Sequence, residues 1–190
     1  SAAPRSSSTS ATLRPSSAGS VPWASSTSWR EPSRANTPAR RVTPEPSNTA
    51  DAAWFDAIAA EHGAIYGYGI VSAHSTPDDN QLVSESMAQH RARREAAIAL
   101  LDARSVATPL PAAGYQLPLE VSDPTQAAQL AVRMEEDAAV AWRAVLEQAT
   151  TTDDRRVAVT ALTESAVLAA RWTQVLGGQP VTLAFPGGSE

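Results

Sequence analysis

Trp54-Phe55-Asp56-Ala57-Ile58-Ala59-Ala60-Glu61-His62-Gly63-Ala64-Ile65-Tyr66-Gly67-Tyr68 is the stretch whose reading decides the fold. Stepped at the helical period it gives Trp54, Ile58, Glu61, Ile65 and Tyr68, an apolar stripe carrying one acid. A carboxylate on a buried stripe is costly unless other polar groups meet it, so Glu61 needs partners from elsewhere in the chain. The search for those partners sets the architecture.

Outward from this stretch, the pattern from residue 50 onward divides into four helical segments of similar length. The first spans Ala50 to His74, starting beyond Asn48-Thr49 and stopping before Pro77. A second starts in Thr76-Pro77-Asp78-Asp79, where a hydroxyl, a proline and two acids favour a helix N-terminus, and runs to Ala103. Ser122-Asp123-Pro124 repeats that signal for a third helix ending near Ala149. The fourth starts at Thr151-Thr152-Asp153-Asp154 and stops at Gly177-Gly178, with Pro180 beyond. Val181 to Glu190 forms a short tail expected to pack Leu183 and Phe185 onto the bundle.

Each helix has about 24 residues and a length of about 36 Å. Tight joins at Ser75 and Thr151 make the first and second, and the third and fourth, antiparallel neighbours. Arg104 to Val121, rich in Pro, Ala and Gly, is long enough when extended to travel the full length of the bundle. The expected fold is therefore an all-α, up-down-down-up four-helix bundle with a long crossover between helices two and three, the connectivity of ferritin-like bundles. An up-down-up-down bundle, with Tyr115-Gln116-Leu117-Pro118 as a surface loop, is the alternative.

The polar residues on the stripes fall at the helix midpoints. Val83, Met87, His90, Arg94 and Leu101 form the stripe of helix two. Ala128, Ala131, Glu135, Ala138, Trp142 and Val145 form that of helix three, and Val157, Ala161, Glu164, Leu168, Arg171 and Val175 that of helix four. Equal antiparallel helices superpose their midpoints, so Glu61, His90, Glu135 and Glu164 are expected in one core layer. Arg94 and Arg171 stand near enough to neutralise it without a metal. His62 and His74 read as surface residues, and Tyr66, Tyr68, Trp142 and Trp172 as core aromatics with polar tips. Glu136 or Asp137 would replace Glu135 only if helix three were rotated.

Composition excludes several functions. The chain has 190 residues, a net charge of −5 and no cysteine, which removes disulfides, thiolate metal sites and a Cys nucleophile. All 15 basic residues are arginine. Residues 1–49 are dominated by Ser, Pro, Thr, Ala and Arg and read as a disordered tail, mildly basic, with Trp23 and Trp29 as its aromatics; this tail could recruit a partner. Residues 51–190 hold nine Arg against 18 acids, which argues against nucleic acid as a partner of the bundle. No apolar run approaches a membrane span and no signal-peptide pattern opens the chain, so a soluble, cytoplasmic domain with no membrane partner is expected. Gly-rich phosphate loops and Ser/His/Asp spacings are lacking, and no catalytic residue is assigned.

The runs Glu61-His62-Gly63-Ala64-Ile65-Tyr66-Gly67-Tyr68-Gly69, His90-Arg91-Ala92-Arg93-Arg94, Arg133-Met134-Glu135-Glu136-Asp137 with Ala141-Trp142-Arg143, and Ala170-Arg171-Trp172 resemble the actinobacterial ferritin-like domain of unknown function, DUF4439. The likeness covers nearly all of residues 51–190. It implies a ferritin-like bundle, a homodimer formed through an Ala-rich helix face, and no established activity. The wider superfamily builds a dimetal centre from a Glu on each of two helices and a Glu-x-x-His pair on each of the others. Glu61 and Glu135 match the single glutamates, His90 one pair's histidine and Glu164 the other pair's glutamate. Met87 and Val167 stand where the two remaining ligands belong. The expectation is a degenerate site in a binding or scaffolding domain without a cofactor, with a single Fe, Mn or Zn ion on Glu61, His90, Glu135 and Glu164 as the alternative.

Overall fold

The computed structural model of the chain describes residues 46–188; the expected tail lies outside these up to residue 45. Four helices carry the fold: α1 (Thr49–His74), α2 (Asn80–Ala103), α3 (Pro124–Gln148) and α4 (Thr152–Val175), with a short 3-10 turn, Pro77–Asp79, leading into α2. No strand occurs among the described residues.

The helix ends follow from local chemistry. Asn48, Asp123 and Thr151 each accept a hydrogen bond from a backbone N–H three residues on, capping α1, α3 and α4. Thr76 instead donates its hydroxyl to Asp79. α2 and α4 both close in the same paired motif. Val106 N–H reaches Leu101 O and Ser105 N–H reaches Asp102 O; Gly178 N–H reaches Thr173 O and Gly177 N–H reaches Gln174 O. Both closures need a left-handed residue, supplied by Ser105 (φ 57°) and Gly177 (φ 67°).

Chain direction can be read from side-chain pairs. Glu61 meets Trp142 while Tyr68 meets Glu135, so α1 and α3 are antiparallel. Arg104 at the end of α2 bridges Asp51 and Asp154, which opens α1 and α4 at the same end of the bundle. α2 and α3 therefore run parallel, and the bundle is up-down-down-up. Residues 104–123 make the required crossover along α1: Pro109 O lies at His62, the Tyr115 ring packs on Tyr66 at 5.3 Å, and Leu117, Leu119 and Val121 join the apolar cluster at the far end.

Two apolar clusters fill the ends of the bundle. One gathers Trp54, Ile58, Leu101, Ala138, Trp142 and Ala161, with Trp54 and Trp142 meeting edge to face at 5.5 Å. The other gathers Tyr68, Val71, Leu130, Met134, Leu168 and Trp172. Between them lies a polar layer. The tail differs from expectation: Leu183 and Phe185 are 60% and 65% exposed. Its backbone comes close at Gly187, where a Cβ would fall 2.6 Å from Ala139 O, and Phe185 borders a shallow surface hollow with Leu146 and Leu162.

One prediction follows from how closely α1 and α3 approach. A Cβ on Gly67 would sit 2.2 Å from the Met134 sulfur, whereas one on Gly69 would touch nothing. Gly67→Ala should lower the unfolding free energy by about 1–3 kcal/mol through overpacking. Gly69→Ala should raise it by about 1 kcal/mol through helix propensity alone. Urea denaturation of the two variants measures both signs.

Candidate functional site: a buried polar layer at the bundle midpoint

α1 delivers Glu61 and Tyr68 to the polar layer, α2 delivers Ser86, His90 and Arg93, α3 delivers Glu135 and Trp142, and α4 delivers Trp172 and Ser165. All are buried. His90 bridges the two carboxylates: its Nδ1 lies 2.6 Å from Glu61 Oε2 and its Nε2 lies 3.0 Å from Glu135 Oε1. Glu61 Oε1 accepts from both Arg93 Nε at 3.0 Å and Trp142 Nε1 at 2.7 Å. Glu135 Oε1 also accepts from the Tyr68 hydroxyl at 2.6 Å, and that hydroxyl accepts from Trp172 Nε1 at 2.9 Å. The result is a connected chain of hydrogen bonds drawn from all four helices.

Burial and neighbouring charge act against each other throughout the layer. Burial by itself would push the His90 imidazole down, but the Glu135 and Glu61 carboxylates outweigh it and raise it to about 9. Burial likewise opposes charge on Glu61, yet the His90 cation and hydrogen bond, Arg93 and the Trp142 N–H together hold it below its usual range. Burial and the neighbouring Glu135 push the Tyr68 phenol well above 10, so it stays a neutral donor. Two carboxylates thus face the imidazole of His90 and the guanidinium of Arg93. Arg93 Nη2 stands 2.8 Å from His90 Nδ1; with His90 protonated this is a contact between donors, held together by the carboxylate that both serve.

Of the four residues expected to converge, the structure brings three together. Glu61, His90 and Glu135 are fully buried, and Glu136 and Asp137 lie off the inward face of α3. Glu164 stands at the rim, its side chain 41% exposed and 3.6 Å from Arg93 Nη1; the inward residue at that height of α4 is Ser165. Arg94 and Arg171 also lie outside the layer. Arg94 pairs with Glu95 on the surface and Arg171 with Glu85 across α2 and α4. The physical reason is the step the inward stripe takes, three residues against four: Val83, His90, Leu101, Ala161 and Leu168 face inward as expected, while Arg93 and Ser165 take the places of Arg94 and Glu164. α2 turns Val83, Ser86, His90, Arg93, Ala97 and Leu101 inward, and α4 turns Asp154, Ala158, Ala161, Ser165, Leu168 and Trp172 inward. The cation of the layer is therefore Arg93. His62, expected at the surface, is buried beneath the crossover with Nε2 at 3.3 Å from Pro109 O, and Tyr66, expected in the core, is half exposed.

Comparison with known proteins fits this geometry. A family described as a domain of unknown function, DUF4439, matches residues 53–190, which span most of α1 and all of α2, α3 and α4. The chain belongs to the DUF4439 family. A crystal structure of a conserved hypothetical protein, rv2844, from Mycobacterium tuberculosis is 58% identical, with 69% of this chain and 99% of that chain covered and a TM-score of 0.68. No curated protein matches the chain.

The donor set of this DUF4439 domain is committed to itself. Both ring nitrogens of His90 face carboxylates, both oxygens of Glu61 are engaged, and a guanidinium sits against the same carboxylate. Among the described residues no group of three or more His, Asp or Glu side chains is disposed to hold a metal ion. The residues present do not fit the dimetal centre that ferritin-like bundles build. Among the described residues, too, no helix is long and apolar enough to cross a membrane.

Breaking the charge balance has a predictable cost. His90→Gln or Arg93→Ala leaves buried carboxylate uncompensated and should cost about 3–5 kcal/mol of unfolding free energy. Arg94→Ala and Arg171→Ala remove exposed pairs and should cost no more than about 1 kcal/mol. The pH dependence follows from the same layer. His90 is raised from 6.5 to about 9, so its contribution is fully present below about 6.5 and lost as pH rises through about 9. Glu61 is lowered from 4.5, so its contribution is present above that value and lost on acidification through its folded pKa. Denaturation midpoints measured across pH should fall on both sides, and His90→Gln should flatten the alkaline limb.

Proposed function

We propose that this DUF4439 domain is a non-catalytic binding or scaffolding domain of ferritin-like descent, in which a metal-free polar network occupies the place where related bundles hold two metal ions. The observation that carries the reading is the position of Arg93. Its guanidinium lies 3.0 Å from Glu61 and 4.0 Å from Glu135, next to His90, where it supplies the positive charge that a metal would otherwise bring to two glutamates. Connectivity supports the descent: two antiparallel hairpins joined by a crossover along α1 present a Glu from α1 and a Glu from α3 to the same layer, as ferritin-like bundles do. Met87 and Val167, at the two remaining ligand positions, offer no oxygen or nitrogen donor for a bridged pair of ions.

In this role the layer sets the relative heights of the four helices, and the domain acts through its surface. Metal analysis of protein purified without added chelator tests the reading. Substoichiometric iron, manganese and zinc, unchanged in Glu61→Ala and His90→Ala, is the expected result. Stoichiometric metal that disappears in those variants would replace it with a mononuclear metalloprotein.

A further inference from the structure

α2 is held in the bundle differently from its companions. α3 lies close along both α1 and α4, whereas α2 packs closely on α1 and its backbone barely approaches α4. The inward face of α2 is apolar only towards its ends, with Leu82 and Val83 in the first turn and Ala97 and Leu101 in the last two. The turns between present Ser86, His90 and Arg93, and Met87 beside them is only partly buried. The hydrophobic effect therefore holds the middle of α2 weakly, and its attachment there rests on charge and hydrogen bonds. Across the gap to α4, Arg104 meets Asp154, Arg93 meets Glu164 and Arg171 meets Glu85. The crossover does not hold α2 either: it is fastened to α1, by Pro109 O at His62 and by the Tyr115 ring on Tyr66.

We propose that α2 is a hinged wall of the bundle: it swings outward as a unit while α1, α3, α4 and the crossover stay packed, and the arginine–acid pairs across the seam latch it shut. The hinges are the short links that flank it, residues 75–79 and 104–108, the second of which holds Ser105 at φ 57°, a left-handed conformation that is costly for a residue with a Cβ. The charges explain why α2 moves and not another helix. The carboxylates stand on α1 and α3, and the groups that compensate them, His90 and Arg93, both stand on α2. Outward motion of α2 takes that pair into water together and lets water reach Glu61 and Glu135, so no ion is left buried and unpaired. Motion of α4 would instead strip the fully buried Leu168 and Trp172 from the core and bring none of the four charged groups with it. Opened, the bundle presents Glu61, Glu135 and the Tyr68 and Trp142 rings, which the closed packing hides. The latch therefore governs access to the polar layer, a property that the scaffolding reading above neither supplies nor needs.

Native-state hydrogen exchange of the full chain, followed along each helix as urea is raised, tests the hinge. The innermost amides of α2 should exchange at least about tenfold faster than those of α3, through an opening that depends on urea less steeply than global unfolding but more than local fraying. Exchange of α2 by global unfolding alone, or with no dependence on urea, overturns the proposal. Arg171→Ala removes a half-exposed seam pair and leaves the polar layer intact. It should speed exchange about two- to fivefold along the whole of α2 and leave α3 unchanged. A rise confined to the turn around Glu85, or none, overturns the latch. Thiol labelling gives a second readout, because the chain has no cysteine of its own. In Ser86→Cys the single buried thiol should react faster than global unfolding allows, and reaction at the global rate overturns the hinged wall.

Discussion

Two carboxylates, an imidazolium and a guanidinium are withdrawn from water in the middle of this bundle, and the arrangement of the helices answers to that constraint. Each ion loses several kcal/mol of hydration on burial, recovered only if an opposite charge and hydrogen bonds meet it in good geometry. Here they do: Glu61 is engaged by His90, Arg93 and Trp142, and Glu135 by His90 and Tyr68. Removing any one charged member leaves the others buried without compensation, so the layer behaves as a unit.

This constraint supplies what the apolar faces lack. Much of the inward face of α3 is small, through Ala127, Ala128, Ala131, Ala138 and Ala139, which grip a neighbouring helix less specifically than Leu130, Met134 and Trp142 beside them. A slip of one turn moves a helix by about 5.4 Å, which would carry Glu135 out of reach of both His90 and Tyr68. Alanine permits close approach, and the polar layer fixes its height. Tyr68, Trp142 and Trp172 take part in both tasks, filling volume with their rings and each placing one neutral donor in the layer.

Much of this was legible in the sequence. The stripe of α3 reads correctly at every position because Trp142 and the alanines leave one inward face, and the capping residues and the long crossover set helix number and direction. α2 and α4 were harder. On α2, Arg91, Arg93 and Arg94 follow one another closely, and the 3.6-residue period allows the stripe to step from His90 to either Arg93 or Arg94. The choice falls to Arg93 because Ser86, not Met87, faces inward one turn earlier, where its hydroxyl lies 3.4 Å from Trp172 Nε1. A polar serine hidden by a tertiary partner gives no hydropathy signal. On α4 a signal was present: stepping back from Trp172, the largest side chain of the helix, through Leu168 leads to Ser165, Ala161 and Ala158, and so excludes Glu164.

The place of Glu164 just outside the inward face of α4 also gives its charge a partner. α2 and α4 stand further apart than the other neighbouring helices, and their seam is crossed by arginine–acid pairs: Arg104 to Asp154 at one end, Arg93 to Glu164 in the middle and Arg171 to Glu85 at the other. The outer pair Arg171–Glu85 is solvent-exposed and worth little. Arg93 is different, because its Nε and Nη2 face the buried carboxylates while Nη1 points toward the seam. An acid at the rim draws that end of the guanidinium outward and keeps its plane spanning from core to surface. Glu164 thus contributes to the layer as a counter-charge from outside it, a role that depends on its partial exposure and that an inward-facing ligand at the same position could not fill.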